Sequence, residues 1–149
     1  VKSSRSRPST VARNQARKQT EAAHQRVRLI IVEDDFLVAL QAETALVQAD
    51  FEVVGVAASF DEALELAVVK KPALALLDIR LSGPRDGIEA ALELFQKHQV
   101  RCIFATAHHD SAARERAEAA CPLAWIPKPY TTAALVHAVR EAVAGLRGA

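Results

Sequence analysis

Ala73-Leu74-Ala75-Leu76-Leu77-Asp78 is an apolar run that ends on a single carboxylate. Lys70-Lys71-Pro72 precedes it, the turn-forming Ser82-Gly83-Pro84 follows, and nothing polar inside it marks a wet side. It is therefore expected to be a strand buried on both faces, as in a parallel sheet. Asp78 then sits at the strand's C-terminal end, the edge of an open parallel sheet where ligands collect. One carboxylate there is a weak sign. It gains weight from Glu33-Asp34-Asp35 upstream, from Thr106 downstream and from Lys128, which close other candidate strands.

Outward from this run the chain alternates strands with amphipathic helices. Arg28 to Val32, Phe51 to Ala57, Arg101 to Ala105 and Leu123 to Ile126 are the other strands expected from β-branched and apolar runs. Between them, helical spacing predicts inward stripes of Leu37, Leu40, Thr44 and Val47; of Phe60, Leu64, Ala67 and Val68; of Ile88, Ala91, Leu92 and Phe95; and of Leu135, Val139, Val143 and Leu146. Ser59 or Asp61 can cap the second of these, and Gly87 opens the third. The Ala-rich helix after Asp110 is expected to be short. Five strands alternating with five helices imply an α/β fold with right-handed crossovers and helices on both faces. The economical arrangement is a flavodoxin-like doubly wound parallel sheet of order 2-1-3-4-5.

A chain of 149 residues, half of them apolar, builds one ordinary core. No apolar run approaches the roughly 20 residues of a bilayer span, and the N-terminus lacks a signal-peptide core, so a soluble, cytoplasmic protein with no membrane partner is expected. Cys102 and Cys121 lack metal-type spacing and read as idle thiols. The net charge of +1 hides a division: residues 1–28 carry +7 and the remainder −6. Residues 1–26, poor in large apolar side chains, are expected to be a disordered basic extension with a frayed helix near Val11 to His24; residues 27–149 form the domain. The chain opens on Val and contains no Met, which points to a processed or unusual start or to a longer parent.

The order 2-1-3-4-5 sets the first and third strands side by side, bringing Glu33, Asp34 and Asp78 into one crevice. Three carboxylates repel one another unless a cation is present, and a hard divalent ion such as Mg²⁺ suits oxygen ligands of this kind. The acidic triplet alone fits equally well as a cap on the following helix; Asp78, on a different strand, tips the balance toward a cation. Thr106 offers a hydroxyl, and Lys128, between Pro127 and Pro129, is held near the same edge. A carboxylate nucleophile, a divalent cation, a hydroxyl donor and a fixed ammonium are what phosphoryl transfer requires.

Val32-Glu33-Asp34-Asp35, Leu77-Asp78 with Asp86-Gly87, Ala105-Thr106-Ala107 and Lys128-Pro129-Tyr130 together resemble the receiver domain of two-component response regulators, over roughly residues 28 to 146. The resemblance implies that Asp78 is the phosphoacceptor. Glu33, Asp34, Asp78 and the backbone carbonyl of Arg80 would then hold Mg²⁺, while Thr106 and Lys128 hold phosphoryl oxygens. It also implies a switch pair of Thr106 and Trp125, positions Arg80 and His108 that tune phosphoryl lifetime, and a cis Lys128–Pro129 bond. The partners implied are a histidine kinase or histidine phosphotransfer protein in a phosphorelay, and an unknown output protein reading the surface of the receiver's fourth helix, fifth strand and fifth helix. Such a protein catalyses its own phosphorylation and dephosphorylation and turns over no external substrate. The loop after Asp78 is one residue longer than is usual in the family.

Other readings compete. The chain can be a stand-alone receiver or a fragment of a larger regulator. The basic arm suits a nucleic-acid-associated protein, but it has no aromatics for stacking and no reading motif, so nucleic acid is not the expected partner. A phosphoaspartate phosphatase resembling known ones needs a second Asp two residues past the nucleophile, where Arg80 stands. His108-His109-Asp110 lacks a third ligand for a transition metal, and Asp110 or Ser111 fits better as a helix cap.

Overall fold

Leu74, Ala75, Leu76 and Leu77 are buried in the centre of a five-stranded sheet, flanked by strands on both sides. The computed structural model describes residues 7–24, 26–107 and 111–147. In chain order it contains α1 (Thr10–His24), β1 (Arg28–Val32), α2 (Phe36–Gln48), β2 (Glu52–Ala57), α3 (Phe60–Lys70), β3 (Leu74–Asp78), α4 (Gly87–His98), β4 (Arg101–Thr106), α5 (Ser111–Ala117) with a 3₁₀ turn (Glu118–Ala120), β5 (Ala124–Pro127) and α6 (Thr132–Arg147). The sheet is parallel with order β2-β1-β3-β4-β5, the flavodoxin-like order expected.

Because strand side chains alternate, β3 feeds two cores. Ala75 and Leu77 join Ile30, Val32 and Phe104 beneath α3, α4 and α5, whereas Leu74 and Leu76 join Leu29, Ile31 and Ile103 beneath α2 and α6. Full burial of each Leu contributes about 1.5–3 kcal/mol, which is why no polar residue interrupts this strand.

The helices meet the sheet less predictably. In α2 the buried residues are Ala39, Ala42, Ala45 and Leu46, while Leu37, Leu40 and Val47, expected inward, are exposed. The helix is apolar nearly all round, so periodicity alone does not select a face, and small alanines allow close approach to the sheet. Val68 of α3 is likewise exposed, with Ala63 buried in its place. In α6, Leu135, Val139 and Val143 are buried as expected.

Local signals set the helix starts. The Ser59 hydroxyl accepts from the Glu62 N–H, and the Glu62 carboxylate accepts from the Ala58 N–H, so cap and first turn satisfy each other's donors. Thr10–His24, where composition predicts disorder with a frayed helix, forms α1; Ala, Arg, Lys and Gln are good helix formers. Its described side chains, up to Arg17, are exposed. No helix among the described residues is long and apolar enough to cross a membrane.

Candidate functional site at the C-terminal edge of the sheet

Strand register builds the site. Val32 pairs with Leu77, Asp78 with Ala105, and Thr106 with Pro127, so Glu33, Asp78, Thr106 and Lys128 emerge at nearly one level. The acidic triplet divides into two tasks. The Asp35 carboxylate accepts from the Leu37 and Val38 N–H groups at 2.9 and 3.1 Å and caps α2. Glu33 and Asp34 are left to face Asp78, and one carboxylate oxygen from each of the three lies within 4.8 Å of the others. Hard oxygen donors this close suit a divalent cation, and the exposed Asp34 leaves the cluster open to solvent on one side.

Lys128 is the cation already present. Its ammonium donates to Glu33 Oε2 at 2.7 Å and to Asp78 Oδ2 at 3.2 Å, and only 16% of its side chain is exposed. Burial pushes the Glu33 carboxyl above its ordinary range even though the bond from Lys128 pulls the other way. Burial alone would lower the Lys128 pKa; the hydrogen bond to Glu33 and the charge of Asp78 more than offset it, and the net shift is upward. The pair therefore carries its charges in a partly dry setting, where each depends on the other. The Lys128–Pro129 peptide is cis, as expected.

A cavity of about 270 Å³ opens beside Asp78, walled by Arg80, Thr106, Ala107, Ala113 and Lys128. Both sequence-predicted neighbours, Thr106 and the exposed Arg80, thus reach the same space. Trp125 lies farther down β5, its ring stacked on the buried Phe104 at 4.7 Å, and the Arg114 guanidinium lies over the ring at 4.7 Å. His108 lies outside the described residues, as does Asp110. Cys102 is buried, its thiol pushed up to about 12 by desolvation, and Cys121 is exposed.

Three residues that the sequence motifs include, but to which sequence reasoning gave no role at the site, also contribute to it. Gly87 donates its N–H to Ile79 O at 2.6 Å, and a Cβ at this position would collide with the carbonyl oxygen of Asp78. Asp86 caps α4 through the Glu89 N–H and pairs with Arg116 of α5 at 2.8 Å. Tyr130 is half-buried, and burial raises the pKa of its phenol. The dipeptide Asp86-Gly87 was the available signal for the first two; Tyr130, next to Lys128-Pro129, carried none beyond its place.

Known proteins resemble this arrangement. The family model of the response regulator receiver domain matches residues 29–140. The chain is 34% identical over 120 residues to the transcriptional regulatory protein PdtaR of Mycobacterium tuberculosis, covering 80% of this chain and 58% of the relative. It is 32% identical over 124 residues to the phyllosphere-induced regulator PhyR of Methylorubrum extorquens, covering 82% of this chain and 45% of the relative. The signal receiver domain of a modulated diguanylate cyclase from Desulfovibrio desulfuricans superposes with a TM-score of 0.76 at 29% identity, over 83% of this chain and 98% of that one. The chain spans about half the length of the curated relatives it matches.

Proposed function

The chain belongs to the response regulator receiver domain family, and from that premise we propose that Asp78 accepts a phosphoryl group from a histidine of a kinase or phosphotransfer protein. A carboxylate oxygen of Asp78 attacks phosphorus as the P–N bond to the donor imidazole breaks. The bonding pair leaves with the imidazole nitrogen, and an acyl phosphate remains on Asp78. Hydrolysis by water later returns the carboxylate and inorganic phosphate.

Glu33, Asp34, Asp78 and the carbonyl of Arg80 would hold Mg²⁺, which when bound neutralises charge on the phosphoryl oxygens. Lys128 supplies fixed positive charge on the other side, and Thr106 donates its hydroxyl to a phosphoryl oxygen. Arg80, at the cavity wall, and His108 tune the lifetime of the acyl phosphate. Trp125 and Thr106 pass the change to the surface of α5, β5 and α6, where an output protein reads it. Residues 27–149 act as the receiver unit in the cytoplasm, and residues 1–26 are an extension to it.

One observation carries this reading: three carboxylates from two adjacent strand ends converge on one ammonium that bonds two of them. The test is incubation with phosphoramidate and Mg²⁺ followed by intact-mass analysis. Wild type should gain one phosphoryl group and Asp78→Ala none. Equal labelling of Asp78→Ala, or undiminished labelling of wild type in excess chelator, would overturn the assignment.

A further inference from the structure

Tyr130 lines two cavities at once. On its inner side is a void of about 10 Å³ bounded by Glu33, Asp78, Val38 and Ala105. On its outer side a groove of about 570 Å³ runs between α2 and the start of α6, past Leu40, Thr44 and Leu135. The inner void has room for about one water, whereas the groove is wide enough to fill with solvent. Tyr130, shared by both linings, is thus the partition between the groove and the void beside the carboxylate cluster.

What the partition protects is the least exposed part of the site. Glu33 is 7% exposed, and its bond to Lys128 is the shorter of the two that the ammonium makes. Attraction between such charges weakens as water enters and the local dielectric rises. Asp34 is exposed and lines neither cavity, so a cation has a way in that does not pass Tyr130. Rear closure and front access are therefore separate features of the site.

We propose that Tyr130 is a positioning residue whose ring seals the Glu33, Asp78 and Lys128 cluster from the α2/α6 groove and so keeps the carboxylates preorganised for a divalent cation. The inference rests on the Mg²⁺ reading above and adds the residue that shapes the site from behind. The body of the ring does the sealing, and the hydroxyl is dispensable. Truncation to Ala joins the void to the groove and hydrates Glu33 from the rear.

The test is calorimetric titration of Mg²⁺ into the unphosphorylated protein, for wild type, Tyr130→Phe, Tyr130→Leu and Tyr130→Ala, with a thermal melt of each. Outer-shell changes at metal sites typically weaken affinity by about 10–100-fold, and the lower end fits a residue that touches the cluster only through a void. Tyr130→Ala should raise the Mg²⁺ dissociation constant by about tenfold, Tyr130→Leu by less, and Tyr130→Phe should stay within about twofold of wild type. Saturating Mg²⁺ should restore the phosphorylation rate of Tyr130→Ala, and the metal-free melt shows whether the variant is folded before Mg²⁺ is added. If Tyr130→Ala does not fold, Tyr130→Leu carries the comparison. A truncated variant that binds Mg²⁺ as tightly as wild type overturns this inference alone. A wild type that takes up no Mg²⁺ overturns the metal reading and this inference with it.

Discussion

Replacing Lys128 with Met keeps most of the side chain's length and apolar stem while removing its charge, so it isolates the ammonium. Two bonds are lost, at 2.7 Å to Glu33 and 3.2 Å to Asp78. Breaking a fully buried pair by removing one partner costs about 3–5 kcal/mol, because the other charge stays behind uncompensated. Here Asp34 is exposed and water reaches the cluster, so the cost falls at or below the bottom of that range. A loss of about 2–3 kcal/mol is expected at neutral pH without divalent ions. At about pH 4 the loss should shrink below roughly 1 kcal/mol, because Glu33, already held above its ordinary pKa by burial, is then protonated and no longer needs a counter-ion. Mg²⁺ at neutral pH should recover part of the loss by binding the native cluster. Urea unfolding of wild type and Lys128→Met at both pH values, with and without Mg²⁺, measures all three. An equal loss at both pH values that Mg²⁺ does not alter would mean that Lys128 acts by packing alone, and the electrostatic account would fall.

Burial raises the Glu33 pKa above 4.5, so the native state binds this proton more tightly than the unfolded chain does. The contribution of Glu33 to stability should therefore be fully present below about pH 4.5 and be lost as pH rises through its folded pKa. Glu33→Gln should flatten that part of the urea-midpoint profile in metal-free buffer, and a slope unchanged from wild type counts against the assignment. Gly87→Ala drives a Cβ into the Asp78 carbonyl oxygen, a backbone atom that cannot swing aside. It should cost about 2 kcal/mol in unfolding experiments and slow labelling of Asp78; wild-type stability and rate would contradict the close approach. Trp125, the chain's single Trp, contacts both Phe104 and Arg114, so its emission should change on saturation with phosphoramidate and Mg²⁺ in wild type but not in Asp78→Ala. Protein phosphorylated by mass yet spectrally silent would leave Trp125 as packing only.

Much of this protein was legible in the chain itself. Six uninterrupted residues ending on Asp78 mark a strand wet on neither face, and their alternation with amphipathic segments admits few topologies besides the one observed. The convergence of Glu33, Asp34 and Asp78 followed from strand order, because neighbouring parallel strands end at one edge. What remained hidden depended on distances between residues far apart in sequence. Lys128 reaches across 95 residues to Glu33 and 50 to Asp78, and its closer approach to Glu33 is set by where the turn after β5 packs. Periodicity is local, so it could not choose between the faces of α2, where the alanines turned inward and left Leu37 and Leu40 exposed. Nor could it tell which acid of the triplet caps that helix. Tyr130 is the furthest case: only the packing of α6 against α2 sets it between a small void beside the carboxylates and a wide groove.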